Sequence, residues 1–243
     1  MKNWKFWGVL TLCVPFCAVS CSSFGVIGEI RKHDSFNYQT WNSVPEAWFG
    51  VAYASMEDPF VYIVLSDTGS PSSRIIGLYT GDKYNHASLS FDRELRSLIS
   101  YNGGDGRSTP GMNPETIEDL YLKDDASVAV YGVPVSKEQK AVMLERIEAI
   151  NREGSSYNFL GLVTEKAYQP NIMFCSQFVY AMLDAGEAAW FRKNSCKVKP
   201  MDFARYRGNL SPALVYAAFC ADLITPGMAL RQAADMTLKE AAM

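Results

Sequence analysis

Cys175 stands near the start of the run NIMFCSQFVYAML, residues 171–183, and its chemistry depends on what surrounds it. A buried free cysteine ordinarily behaves as a small hydrophobe. Helical spacing fits that use, since it puts Cys175 on one face with Phe178, Val179 and Met182. Its position in the first turn argues the other way. Unpaired backbone N–H groups and the helix dipole favour negative charge there. Such a setting lowers the proton affinity of a thiol and offers an N–H to a developing oxyanion. A thiolate nucleophile still needs a base, most often histidine.

The chain contains two histidines. His33 lies in the charged string EIRKHDS and reads as a solvated side chain. His86 opens HASLSF, whose alternation puts His86, Ser88 and Ser90 on one face and Ala87, Leu89 and Phe91 on the other. The apolar face is expected to pack on the core, leaving His86 to look out from the start of its strand. Two uses stand open for it, a satisfied structural histidine or the base that meets a helix N-terminus. Both histidines precede Cys175. A papain order, cysteine first, is therefore impossible, and any thiol dyad belongs to a permuted chain.

The remaining composition excludes more than it suggests. The six cysteines lie at 13, 17, 21, 175, 196 and 220, and no pair beyond residue 21 has C-x-x-C spacing. With two histidines, neither a metal nor another cofactor is expected. A net charge of −3 gives no basic footprint for nucleic acid. At 243 residues and 48% hydrophobic, the chain can bury a core of one domain with appendages.

The first 23 residues, MKNWKFWGVLTLCVPFCAVSCSS, read as an address. Lys2 and Lys5 precede an apolar run from Phe6 to Val19 and a small-residue exit, the pattern of an export signal. The run is shorter than the roughly 20 residues of a spanning helix. AVSC resembles a bacterial lipobox in which Cys21 is lipidated, although Ala18 stands where leucine is more usual. The expectation is an exported, envelope-located protein held on the membrane through a lipid anchor at Cys21.

Between leader and tail the chain alternates periods. FVYIVLS (60–66) reads as a buried strand, RIIGLYTG (74–81) as a short helix, and HASLSF with RSLISYN (96–102) as a hairpin. GGDGRSTPGMNP (103–114) reads as a glycine-rich loop and SVAVYGVPV (127–135) as a further strand. Ser136 and Gln139 form a capping box ahead of a helix stopped at Gly154. The cysteine helix is closed by Gly186, and VKPMDFARY (198–206) reads as a last strand or loop. Strands followed by helices, with antiparallel pairing, make an α+β chain. Its expected divisions are a signal over 1–21, a partly helical extension over 22–59, the domain over 60–210 and a helical tail over 211–243.

YNHASLSFD followed much later by FCSQFVYAML resembles the permuted papain-like amidases of the YaeF/YiiX group, within the NlpC-type papain-fold superfamily. The flanks YIVLSDTGSPSSRIIGLYTGDKYNHASLSFD, YNFLGL and VKP are similar too, so the likeness covers about residues 60–203. It implies a circularly permuted papain-like fold, an antiparallel sheet packed against the cysteine-bearing helix. It further implies that Cys175 is the nucleophile and His86 the base. The third residue of that family lies on the strand after the histidine strand and is often glutamate. Here LISYNGG holds no acid; Ser100 is the best positional match and Asn102 the alternative.

The expected function is a thiol hydrolase of amidase or peptidase type acting on an amide or acyl bond, with cell-wall peptide among the substrates open to it. Two alternatives accompany it. One is a non-catalytic module on the same fold that binds peptide or lipid, which the absent acid favours. The other is a structural lipoprotein in which Cys175 is disulfide-bonded to Cys196 or Cys220.

Overall fold

A computed structural model describes residues 44–67, 82–103, 109–120, 128–166 and 171–206 and the backbone of 216–220. The elements are α1 (Glu46–Ala54), β1 (Phe60–Ser66), β2 (His86–Ser90), β3 (Ile99–Asn102), β4 (Gly111–Pro114), β5 (Val128–Pro134), α2 (Lys137–Glu153), β6 (Ser156–Tyr157), α3 (Phe159–Thr164), β7 (Ile172–Met173), α4 (Cys175–Ala185), α5 (Pro200–Arg205) and β8 (Tyr216–Cys220). Six strands form one antiparallel sheet in the order β4-β3-β2-β1-β5-β8. The α+β expectation is met.

The sheet carries apolar side chains on both faces. Val61, Ile63 and Leu65 of β1, with Ala87 and Leu89 of β2, join the main core, while Val64 joins Leu95, Leu98, Leu120 and Val128 in a smaller cluster. That is why FVYIVLS is a continuous apolar run rather than an alternating one. Helix α4 packs on β2 and β3, burying Phe178, Val179, Met182 and Leu183 completely. Tyr101 of β3 meets Phe178 at a ring separation of 4.9 Å. Truncating such an aromatic typically costs about 3–5 kcal/mol.

Helix α2 starts where the sequence says it must. Gln139 N donates to Ser136 Oγ at 3.2 Å and Ser136 N donates to Gln139 Oε1 at 2.9 Å, the reciprocal bonds of a capping box. Gly154, at φ 88°, ends it in a conformation that suits glycine. Lys140 is fully buried on this helix. Its ammonium spans two elements, donating to Ser55 O at 2.9 Å and Phe91 O at 3.1 Å. Burial lowers its proton affinity, against the opposing charges of Asp58 and Asp92.

Four sequence expectations need correction. The extension does not stop short of the domain, because α1 is part of the core: Trp48 and Ala52 are buried and Trp48 Nε1 donates to Leu98 O at 3.2 Å. The helix expected within the extension docks through few residues, which keeps its periodicity weak. The glycine-rich loop holds β4, whose Gly111 and Pro114 disguise a short strand paired with β3. The segment 198–206 is neither strand nor loop at its end but helix α5, opened by Pro200 at its first turn. Tyr216–Cys220 pairs with β5 as an edge strand, so a helical tail over 211–243 does not hold there. RIIGLYTG, the leader with Cys21, His33 and LKEAAM lie outside the described residues. No helix among the described residues is long and apolar enough to cross a membrane.

Candidate active site

Four chain segments converge on Cys175. The first is its own helix. Phe174 is extended (φ −104°, ψ 169°) and provides no side-chain cap. The helix pattern begins with Phe178 N donating to Phe174 O at 2.9 Å, so the N–H groups of residues 175–177 have no partner within the helix. An acceptor side chain at the cap would compete for those donors; phenylalanine does not. Ser176 Oγ donates to Val198 O at 2.6 Å and fixes the helix start.

The second segment is β2. The His86 and Cys175 side chains lie close enough to interact, and that interaction raises the proton affinity of the ring. The first two sequence-predicted residues are thus brought together. Cys175 and Cys196 are both free thiols, so the disulfide alternative fails for this pair. Cys175 is 1% exposed.

The third segment follows β4. Glu115 takes the imidazole between its two oxygens, with His86 Nε2 at 2.9 Å from Oε1 and 3.1 Å from Oε2. Its backbone N donates to Leu98 O at 3.0 Å, which pins the residue where β4 leaves the sheet. Ser100, expected in this role, is elsewhere: its hydroxyl donates to Ala87 O at 2.6 Å, within the ladder to β2. Asn102, the alternative, reaches the carboxylate instead of the ring, donating Nδ2–H to Glu115 Oε1 at 3.1 Å. The acid was missed because β4 was read as loop. Its signal was available in the order of strands, for a carboxylate one strand further on lies within reach of the same ring.

The fourth segment is β6. Its parallel pairing with β7 sets Tyr157 opposite Met173, two residues before Cys175. Tyr157 is 2% exposed and lies close enough to the Cys175 side chain for the two to interact. Burial, then the charge of Cys175, holds its phenol well above its ordinary value, so the hydroxyl stays a donor. The sequence placed this tyrosine in a recognisable motif, YNFLGL, but gave it no role. Asn171, at φ 72°, shapes the approach to β7. It is held by Arg146 Nη2 and Glu153 Oε2, each at 2.8 Å.

Charges in this pocket support one another. Burial works against a charged His86, yet the Glu115 charge, the neighbouring Cys175 and the hydrogen bond to Glu115 outweigh it and hold the ring well above its ordinary value. Burial likewise opposes an ionised Glu115. His86, Ser88 and Asn102 reverse that and keep the carboxyl below 4.5. Because Glu115 occupies Nε2, Nδ1 is the nitrogen left for the thiol. That tautomer can take a proton from sulfur and return it to a leaving group.

No family model, curated protein or solved structure matches the chain.

Proposed function

We propose that this protein is a cysteine-dependent hydrolase of amidase or peptidase type, built on a permuted, NlpC-like papain fold. The observation that carries the reading is the His86 ring held through Nε2 by Glu115 while its other side meets Cys175 at an uncapped helix start. Cys175 Sγ attacks the carbonyl carbon and its proton passes to His86 Nδ1. The carbonyl electrons move to oxygen, where the N–H groups of the first turn and the Tyr157 hydroxyl are donors. Collapse of that intermediate expels the amine, which takes the proton from Nδ1 and leaves an acyl-enzyme. Water, deprotonated by His86, then releases the acid and restores the thiol.

Glu115 has the orienting role: it fixes the tautomer and stabilises the imidazolium between steps. A non-catalytic peptide- or lipid-binding module on the same fold drew its support from a missing acid, and Glu115 removes that support. Export and lipidation at Cys21 remain part of the proposal, with cell-wall peptide as a substrate that an exported amidase meets.

The test is alkylation of the full chain by iodoacetamide across pH, followed at Cys175 by peptide mass with Cys196 as internal control. The reading expects Cys175 to react in mildly acidic solution where Cys196 does not. His86→Ala is expected to abolish the difference. Equal pH curves for the two thiols would sink the hydrolase reading, since an ordinary thiol titrates near ~8.5.

A further inference from the structure

Beyond the three reacting residues, the carboxylate has its own set of holders. We propose that Ser88 and Asn102 are positioning residues that act through Glu115, and that Asn113 fixes which end of the Asn102 amide faces it. This rests on the Cys175–His86–Glu115 reading above.

Donor counting carries the argument. Asn113 Nδ2 lies 2.9 Å from Asn102 Oδ1, 2.9 Å from Thr109 O and 3.2 Å from Gly111 O. Two backbone carbonyls can only accept, so this atom is nitrogen and it donates. Asn102 must then turn Oδ1 to Asn113 and Nδ2 to Glu115. Flipping Asn102 would set nitrogen against nitrogen on one side and oxygen against carboxylate on the other. Asn113 thus donates to Asn102, Asn102 donates to Glu115, and Glu115 accepts from His86.

Ser88 completes it from the strand that carries the histidine. Its hydroxyl donates to Glu115 Oε2 at 2.6 Å, and Ser88 itself is fully buried. Glu115 then accepts from His86 on both oxygens, from Asn102 on Oε1 and from Ser88 on Oε2. Three donors, with the imidazole N–H shared between both oxygens, make these four contacts. A proton on Glu115 would displace one donor from a buried site, at the cost of leaving it unpaired. The titratable groups facing this carboxylate are His86 and, beyond the ring, Cys175 and Tyr157. Ser88 and Asn102 therefore govern how far into acid the carboxylate can support an imidazolium.

The test follows two pH midpoints in the full chain carrying His33→Gln: Cys175 alkylation by iodoacetamide, and the His86 ring by NMR. In Asn102→Leu and in Ser88→Ala the window between thiol and imidazolium midpoints is expected to narrow from both sides. A rise of about one pH unit in the thiol midpoint makes alkylation near pH 6 about tenfold slower. The alkaline limiting rate is expected to stay within about twofold, and Ser88→Thr, which keeps the hydroxyl, to restore the window. Ser88→Ala removes a single atom and guards against misfolding of the leucine variant. An unchanged window in both variants, a lowered melting point with unmoved midpoints, or failure of Ser88→Thr to restore it overturns this proposal alone. A parent curve that is ordinary and indifferent to His86→Ala overturns the Cys–His pair and this proposal together.

Discussion

Two buried carboxylates, Glu115 and Asp92, sit near opposite ends of β2, and each takes a hydroxyl hydrogen bond from the polar side of that strand. Ser88 donates to Glu115 and Ser90 to Asp92 Oδ1 at 3.2 Å. Their other partners differ in kind. Asp92 is met by Ser97 N at 2.6 Å, Ser97 Oγ and Arg96 N at 3.1 Å, all within five residues. It closes the turn that joins β2 to β3. Glu115 instead gathers His86, Ser88 and Asn102 from 13 to 29 residues away. A carboxylate satisfied by neighbouring N–H groups fixes the local chain path. One that draws on a distant imidazole sets the charge of that imidazole.

That contrast can be broken in order of effect. Glu115→Gln keeps the shape and removes the charge, and it sets an amide N–H₂ among donors. Its acylation by an activated aryl ester, read as burst rate, is expected to fall about 10²–10⁴-fold. Asp92→Asn is expected to leave that rate within about twofold while lowering unfolding free energy by about 2–3 kcal/mol in urea titration. A loss of acylation in the aspartate variant, with stability intact, would erase the division between the two ends of β2.

A smaller effect separates them by pH. Glu115 is held below its ordinary value, so its contribution is present above the unfolded carboxyl value of about 4.3 and is lost as pH falls through the folded one. His86 is held above its ordinary value, so its contribution is complete below about 6.5 and is lost as pH rises through the folded one. The stability difference between the parent and Glu115→Gln is therefore expected to peak between about pH 4.3 and 6.5, by about 1–2 kcal/mol. Chemical denaturation at a series of pH values checks it, and a flat difference would mean that the pair is not ionic. Smallest is Ser90→Ala, expected to cost about 1 kcal/mol without altering the pH dependence of Cys175 alkylation.

Much of the frame was legible because its signals are local. The capping box of Ser136 and Gln139, the stop at Gly154 and the unbroken apolar run of β1 each depend on residues a few positions apart. The docking of helix α1 and the existence of strand β4 were not, for different reasons. Trp48 earns its place by donating to Leu98 O and meeting the Phe91 ring, which no window of nine residues records. Gly111 and Pro114 carry weak strand preference, and β4 exists because β3 offers it a free edge.

The site divides the same way. Sequence alone singled out Cys175 and His86: one cysteine at a helix start and one histidine at a strand start. It also placed Cys175 in the first turn of its helix, where backbone N–H groups are unpaired. Only the tertiary structure decided the third residue, choosing Glu115 over Ser100 and turning Asn102 toward the carboxylate. It alone brought Tyr157 to the sulfur. The physical reason is that side-chain alternation states which face of a strand a residue occupies, whereas which atoms meet across strands depends on register, and register is fixed only when the whole sheet closes on its core.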